Sequence, residues 1–136
     1  MLIVKDIFEF LNELAPTTLK MDFDNVGLLV GDGDDEVNKI IVALDITDEV
    51  IDEAIEKGAE LIVSHHPIIF EPMKEVLNSD LVGKKIIKLI KNGISAICMH
   101  TNLDIAEGGV NDALMSALGA VSEDYLEYTG TDMQGV

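Results

Sequence analysis

The side chains best suited to bind a metal follow two apolar stretches of the sequence; they are His65, His66, His100 and Asp104. The two adjacent histidines stand between the apolar residues 59–64 and Pro67, which continues neither a strand ladder nor a helix. The third histidine and the aspartate follow the apolar residues 94–99. Neutral imidazole and carboxylate are ligands that suit zinc, iron or manganese. The two stretches therefore predict a site for divalent transition-metal ions, provided that the fold brings them together.

Strand and helix patterns alternate around these stretches. Apolar and β-branched runs predict strands near residues 26–30, 39–44, 61–64 and 94–99. Apolar residues at helical spacing predict helices near residues 4–14, 47–57, 81–91 and 110–118. Such alternation is typical of an α/β fold, in which right-handed crossovers make successive strands parallel. We therefore expect residues 1–136 to form a single α/β domain with a mixed, largely parallel sheet and helices on both faces.

The carboxyl ends of parallel strands share one edge of the sheet, and ligands bind at that edge in open α/β folds. Asp45 follows the strand near residues 39–44, and we interpret it as a helix-entry residue or as a residue that orients a histidine, in preference to a ligand. On a helix His100 and Asp104 would share a face, but the β-branched residues before them favour a strand followed by a loop. A carboxylate can bridge two ions about 3.5–4 Å apart, so a dinuclear centre is allowed but not required. A polar network without metal is the alternative.

The composition limits the partners of the chain. Its 136 residues carry a net charge of -17, which argues against nucleic acid and anionic membrane surfaces as partners. No apolar run is long enough to span a membrane and the N-terminus lacks a signal-peptide pattern, so we expect a cytoplasmic location. The single cysteine, Cys98, lies in an apolar run, and we interpret it as a buried small side chain rather than a reactive thiol or a metal ligand.

Three other polar stretches have less specific interpretations. The acid-rich residues 31–36 lack the glycine and glutamate spacing of a calcium loop, and we interpret them as a solvated hairpin turn. The lysines near residues 81–91 are interpreted as a solvated helix face, although they are also the most evident partners for a phosphate group. Ser64 adjoins His65 without the glycines of a nucleophile elbow, so a serine-based triad has weak support.

Three motifs in a fixed order resemble those of a known family. They are Asp-Asn-Val-Gly-Leu at residues 24–28, Ser-His-His-Pro at 64–67 and His-Thr-Asn-Leu-Asp at 100–104. In this combination they resemble the YbgI-like dinuclear metal-centre proteins, often named type 2 GTP cyclohydrolase I, from the first helix to Gly119. The resemblance implies an α/β fold, a dinuclear centre with His65, His66 and Asp104 among its metal ligands, and hexamers built from dimers.

Two features of the chain depart from that family. Phe23 stands where the family usually has tryptophan, which is a conservative aromatic exchange. Family chains are also longer, and their second half supplies a further histidine and glutamate to the metal site. No histidine follows His100 in this sequence. We therefore expect residues 1–136 to correspond to the N-terminal part of the family fold, without its C-terminal ligand segment.

The residues and the resemblance together predict a metal-dependent hydrolase-like protein that acts on a small-molecule substrate. A nucleotide such as GTP is a substrate that the resemblance alone implies. Water acidified by the metal would be the nucleophile, and His100 would transfer protons or orient a ligand. The alternative is a non-catalytic metal-binding protein or a regulatory protein that binds a partner. A third interpretation is an α/β fragment whose site is inactive. We expect a homo-oligomer with neither nucleic acid nor membrane among its partners.

Overall fold

A computed structural model of the chain describes residues 1–121, 128–129 and 134–135. The helices in this part are α1 (Val4–Leu14), α2 (Asp48–Lys57), α3 (Leu81–Lys91), α4 (Thr101–Ile105) and α5 (Val110–Leu118). The strands are β1 (Gly27–Val30), β2 (Ile40–Ala43), β3 (Leu61–Ser64), β4 (Ser95–Cys98), β5 (Tyr128–Thr129) and β6 (Gln134–Gly135). The first four strands and all helices except α4 agree with the predicted bounds to within one residue at each end. The acidic tail from Glu123 lies mostly outside the described residues, although β5 and β6 pair there.

The main sheet has the strand order β1-β4-β3-β2. Strands β2, β3 and β4 are parallel, and β1 runs antiparallel to β4. This arrangement confirms the mixed, largely parallel sheet. It also places the carboxyl ends of the three parallel strands at one edge, where the histidines follow β3 and β4.

The prediction of a hairpin turn at residues 31–36 is wrong. Strands β1 and β2 occupy opposite edges of the sheet, because β1 pairs with β4, so this segment connects one edge to the other. Its carbonyl groups instead bind the start of α1. The amide of Val4 donates to Asp35 O at 2.9 Å, and the amide of Lys5 donates to Gly33 O at 2.8 Å. These bonds satisfy amides that a helix leaves unpaired in its first turn.

Apolar side chains alternate between the two faces of the sheet, as the geometry of a strand requires. Ile62 and Ala96 pack in one core cluster with side chains of α2 and α3. Leu61 and Ile97 pack in a second cluster with side chains of α1. Leu61 and Ile97 are completely buried, and burying a side chain of this size contributes about 1.5–3 kcal/mol to the stability of the fold. Helices therefore cover both faces, as predicted, and together they hold the strands that carry the histidines.

Two capping residues define the ends of α2, the helix between β2 and β3. The Thr47 hydroxyl accepts a hydrogen bond from the amide of Val50 at 3.2 Å, and Gly58 ends α2 with a φ of 63°. Both features confirm the predicted limits. In the part of the chain that the structure describes, no helix is long and apolar enough to cross a membrane.

The expectation of a loop after His100 is wrong, because helix α4 begins at the next residue. The cause is the completely buried side chain of Asn102. Its Oδ1 accepts from the amide of His100 at 2.9 Å, and its Nδ2 donates to Ala15 O at 2.8 Å. The β-branched character that favoured a strand belongs to β4, which ends at Cys98. Helix α4 sets the position of Asp104 relative to the histidines.

Candidate metal centre

The three histidines converge at the carboxyl edge of the sheet. Each offers a ring nitrogen that lies within 4.8 Å of the corresponding nitrogens of the other two. The ring centroids of His65 and His66 are 5.2 Å apart, and that of His100 lies 5.1 Å from the first and 5.7 Å from the second. The topology thus gathers side chains from two sequence stretches, as we predicted.

The chain turns immediately after β3. The amides of His65 and His66 continue the ladder to the neighbouring strand, donating to Ala43 O at 3.2 Å and Leu44 O at 2.9 Å. The Ser64 hydroxyl donates to His66 O at 2.9 Å and closes the turn. Consecutive residues of a regular strand point to opposite faces, yet these two rings are neighbours, so the turn brings both to one side. Ser64 is buried in a structural hydrogen bond, which gives a serine-based triad no support.

An acceptor binds the Nδ1 atom of every histidine. Nδ1 of His65 lies 2.9 Å from the Met99 carbonyl oxygen, and Nδ1 of His66 lies 2.8 Å from Oδ1 of Asp45. Nδ1 of His100 lies 2.9 Å from Oδ1 of the third partner, Asp24. Carbonyl and carboxylate oxygens accept hydrogen bonds, so a neutral ring in this position carries its proton on Nδ1 and leaves Nε2 as a base or ligand. Asp45 therefore lies in the position that we predicted for a residue that orients a histidine, here His66.

Asp104 adjoins this cluster at one histidine. Its Oδ1 lies 3.6 Å from Nε2 of His65, which is too long for a hydrogen bond. Bond lengths of about 2.0–2.2 Å from zinc to nitrogen and oxygen place two ligands of one ion about 3–4 Å apart. The spacing of Nε2 and Oδ1 falls within this range, and it is also the spacing of an ordinary ion pair. Among the described residues, the candidate ligands that lie within 4.8 Å of one another are the three imidazoles, which suit a first-row divalent ion, and Asp104 adjoins this group through His65.

Asp24 contacts the histidine cluster, and our sequence reasoning gave it no role. Its side chain is completely buried, and its carboxylate binds His100, the backbone and hydroxyl of Thr101, and the backbone of Asn25. Burial raises the pKa of Asp24, but these hydrogen bonds outweigh burial and hold the pKa below its usual value. The only signal in the sequence was its place in the first family motif.

Cys98 lies beneath the site and takes no part in it. The residue is 1 % exposed, and its thiol donates to the carbonyl oxygen of His65 at 3.0 Å. Burial, together with the nearby charge of Asp24, raises the pKa of the Cys98 thiol to about 12. A thiol in this state is neither a good nucleophile nor a good metal ligand, which agrees with the predicted role as a buried small side chain.

Two exposed phenylalanines stand beside the histidines. Phe23 and Phe70 are 65 % and 45 % exposed, and their rings meet edge to face with centroids 6.4 Å apart. The ring of Phe70 also lies 6.4 Å from that of His100. Asn25 Nδ2 donates to Ile69 O at 2.7 Å and ties together the two loops that carry these rings. We call Phe23 and Phe70 the aromatic rim.

The lysines of α3 face the acidic residues of α2. Lys88 lies 2.7 Å from Oδ1 of Asp52, and Lys84 lies 3.9 Å from Oδ2 of Asp48. These ion pairs agree with the interpretation of a solvated helix face. They also engage two of the side chains that we had named as partners for a phosphate group.

Comparison with known proteins gives consistent matches. A sequence model of the family described as Duf34/NIF3 (NGG1p interacting factor 3) matches residues 2–135. A Clostridium acetobutylicum protein named GTP cyclohydrolase 1 type 2 homolog is 50 % identical over 116 residues, which cover 85 % of this chain and 43 % of that protein. A crystal structure of a Bacillus cereus protein related to NIF3 has a TM-score of 0.88 at 41 % identity and covers 95 % of this chain.

A further solved structure, protein ybgI, has a TM-score of 0.81 at 24 % identity and covers 93 % of this chain and 51 % of that one. At this identity the match concerns the fold alone. The chain spans 43 % of the Clostridium acetobutylicum protein and 35 % of the Bacillus cereus chain, less than half of either.

Proposed function

The chain belongs to the Duf34/NIF3 family, and on that premise we propose that it forms the metal-binding part of a metal-dependent hydrolase. The residues that would hold a divalent transition metal, zinc, iron or manganese, are His65, His66 and Asp104. Imidazole and carboxylate suit these ions, and the two stretches that carry them meet at the sheet edge. His100 would serve the reaction at the same site.

One observation carries this proposal: each converging imidazole is anchored through Nδ1 and presents Nε2. Histidines that ligate metals usually donate their other ring N–H to a carbonyl or a carboxylate. Within the described residues, none of the three Nε2 atoms makes a hydrogen bond to another protein group. A structural polar network would be expected to engage them, so metal binding accounts for the arrangement better than the network does.

A bound divalent ion would supply Lewis acidity and lower the pKa of a coordinated water. His100 would accept or deliver the proton, because its ring adjoins His65 and keeps 20 % of its side chain exposed. His65 and Asp104 would be held in place by the turn after β3 and by α4. The buried Asp24 would hold the ring of His100 in a fixed orientation.

The aromatic rim favours a small-molecule substrate with a flat ring. Exposed phenylalanines beside a polar site provide faces and edges on which a heteroaromatic ring can stack. The name GTP cyclohydrolase 1 type 2 homolog, given to the Clostridium acetobutylicum protein, points to a purine nucleotide. We therefore propose a nucleotide as the substrate class.

We propose that residues 1–136 correspond to the N-terminal part of the family fold. They would supply one ion with three ligands, the imidazoles of His65 and His66 and the carboxylate of Asp104, which leaves the fourth position of a four-coordinate ion open. A dinuclear centre would take further ligands from the second half that family chains possess. The fraction of each relative that the chain spans supports this view.

We also propose that the chain forms a homo-oligomer. In the part of the chain that the structure describes, β2 pairs only with β3 and forms an edge of the sheet. Val42 is 80 % exposed and Leu44 is 62 % exposed along that edge. Apolar side chains on an open edge strand favour association with another chain.

Elemental analysis tests the metal site. Wild-type protein is loaded with zinc, manganese or iron(II), dialysed, and compared with His66→Ala and Asp104→Asn. We expect stoichiometric metal in the wild type and a clear loss in both variants, with Glu107→Gln, an exposed acid three residues along, as the unchanged control. Equal metal content in wild type and both variants would overturn the site.

Incubation with GTP then separates the two classes of function. Turnover by the metal-loaded wild type, absent in His66→Ala, supports the hydrolase. Metal bound without turnover, also in a full-length relative, supports the non-catalytic metal-binding protein instead.

A further inference from the structure

We propose that Asp24 is a positioning residue that holds the His100 imidazole in the tautomer with its proton on Nδ1, so that Nε2 is the nitrogen offered to the site. The use of this tautomer for catalysis depends on the proposed function, because His100 is one of the histidines of the proposed site. The tautomer itself can be observed without metal or substrate.

Four donors converge on the carboxylate of Asp24. On Oδ1 these are the amide of Asn25 at 2.8 Å and Nδ1 of His100 at 2.9 Å. On Oδ2 they are the amide of Thr101 at 3.0 Å and the Thr101 hydroxyl. The hydroxyl oxygen itself accepts from the amide of Met21 at 3.0 Å, so its own proton is free to point at Asp24. Both carboxylate oxygens are thus supplied with two donors each.

Because each oxygen of the Asp24 carboxylate already faces two donors, the direction of the hydrogen bond between Asp24 and His100 can be assigned. The two amides can only donate, and a proton on the carboxylate would compete with them for the same lone pairs. Asp24 is therefore the ionised acceptor, and its pKa below the usual value agrees with that state. Since the carboxylate has no proton to give, Nδ1 of His100 must be the donor.

Burial makes the arrangement rigid. The side chain of Asp24 is 0 % exposed, so water cannot replace its partners, whereas 20 % of the His100 side chain remains exposed. Lys20 Nζ binds the carbonyl oxygen of Asp24 at 2.7 Å and fixes the backbone at the same residue. A buried carboxylate behind a partly exposed imidazole orients the ring and raises the basicity of its free nitrogen.

An amide at position 24 cannot reproduce these contacts. In Asp24→Asn the NH₂ group would face either the amide of Thr101 or both the amide of Asn25 and Nδ1 of His100. In each orientation a donor meets a donor, and one arrangement forces His100 to become the acceptor. Asp24→Ala removes the acceptor altogether. Free neutral imidazoles in water favour the proton on Nε2, so in this variant we expect the tautomer to shift toward that form.

Long-range ¹H–¹⁵N correlation spectra of the histidine rings test this proposal. They are recorded on the full, metal-free chain at a pH where the rings are neutral, with His65→Gln and His66→Gln used for assignment. We expect the wild type to show a protonated-type shift for Nδ1 of His100 and an unprotonated-type shift for Nε2. A wild-type signal with the proton on Nε2 overturns the proposal.

Three variants complete the experiment. Asp24→Ala should lose the wild-type pattern at His100, whereas Asp22→Ala, at an exposed acid two residues away, should keep it. Thr101→Val should also keep it, because the carboxylate retains both amides and the histidine. If Asp24→Ala keeps the wild-type pattern, or Thr101→Val loses it, Asp24 does not set the tautomer. If Asp24→Ala fails to fold, the wild-type spectrum and Thr101→Val still decide the matter.

Zinc content measured on the same samples separates this proposal from the proposed function. Wild-type protein that binds no zinc but shows His100 protonated on Nδ1 would refute the metal site and leave the role of Asp24 in place. Protein that binds zinc but shows the opposite tautomer would refute the role of Asp24 alone.

Discussion

Nδ1 of His66 lies 2.8 Å from Oδ1 of Asp45, and the register of two parallel strands makes this contact. Ala43 pairs with Ser64 at the ends of β2 and β3, so residues two positions beyond each strand end lie side by side. The side chains of Asp45 and His66 are 53 % and 46 % exposed, so their contact contributes little to the stability of the fold. The contact instead fixes the orientation of the His66 ring.

We predict that Asp45→Ala weakens metal binding more than it weakens the fold. The ring of His66 would lose the acceptor on Nδ1, and loss of such a partner typically lowers metal affinity about 10–100-fold. The free energy of unfolding should change by less than about 1 kcal/mol, because the pair is exposed. Competition with a chromophoric chelator measures zinc affinity, and urea titration measures stability. Asp34→Ala, at another exposed acid, is the control; equal zinc affinity of Asp45→Ala and wild type would contradict the orienting role.

Local signals were sufficient to predict most of the fold. Thr47 and Gly58 limit α2 through contacts within a few residues, and apolar spacing within a helix or strand is equally local. The two errors concern contacts between distant residues. Gly27 pairs with Cys98, which moves β1 away from β2, and Asn102 binds Ala15 O across 87 residues and so starts α4. Neither contact has a counterpart in the local pattern.

For the candidate site too, local patterns predicted one part and contacts between distant residues determined the other. The convergence of the histidines followed from the predicted topology, because strand ends were enough to place them. The role of Asp24 did not follow, since its contact with His100 spans 76 residues and arises from the packing of two loops. The resemblance to a family drew attention to its motif, and the match to Duf34/NIF3 confirms that resemblance.

We predict that the aromatic rim contributes to binding of a flat ligand. Phe23→Leu and Phe70→Leu should each weaken the binding of guanosine, used as the probe, by about fivefold, corresponding to about 1 kcal/mol of lost aromatic contact. Saturation-transfer NMR on the metal-loaded chain measures the dissociation constants. Phe10→Leu is a matched control, because Phe10 is 57 % exposed on α1. A uniform response of all three variants would argue against a specific role for the rim.

We predict that the β2 edge takes part in self-association. Val42→Lys places a charge on the apolar edge and should shift the chain toward smaller species at a fixed concentration, because a buried lysine would lose its hydration. Size-exclusion chromatography with light scattering gives the mass. Leu81→Lys provides the comparison, since Leu81 is 81 % exposed on α3. A mass unchanged by Val42→Lys, or lowered equally by both variants, would exclude β2 as the contact surface.

We expect the stability of the sheet to depend on pH through Glu60. Its Oε2 accepts from the amides of Lys39 at 2.9 Å and Asn38 at 3.1 Å, and these bonds lower the pKa of Glu60. A folded pKa below the unfolded one means that the stabilisation is full above the unfolded pKa and is lost as the pH falls through the folded pKa. We therefore expect the carboxylate to hold residues 38–39, just before β2, at neutral pH and to release them in acid.

We predict that Glu60→Gln lowers the free energy of unfolding by about 1 kcal/mol at neutral pH, because an amide oxygen is a weaker acceptor than a carboxylate. The difference from wild type should shrink in acid, where protonation removes the same charge from wild-type Glu60. Urea titrations at about pH 7 and about pH 3 measure both values. Glu56→Gln, at an exposed position of α2, should show no such convergence. A difference that stays constant between the two pH values would show that charge on Glu60 does not support the strand.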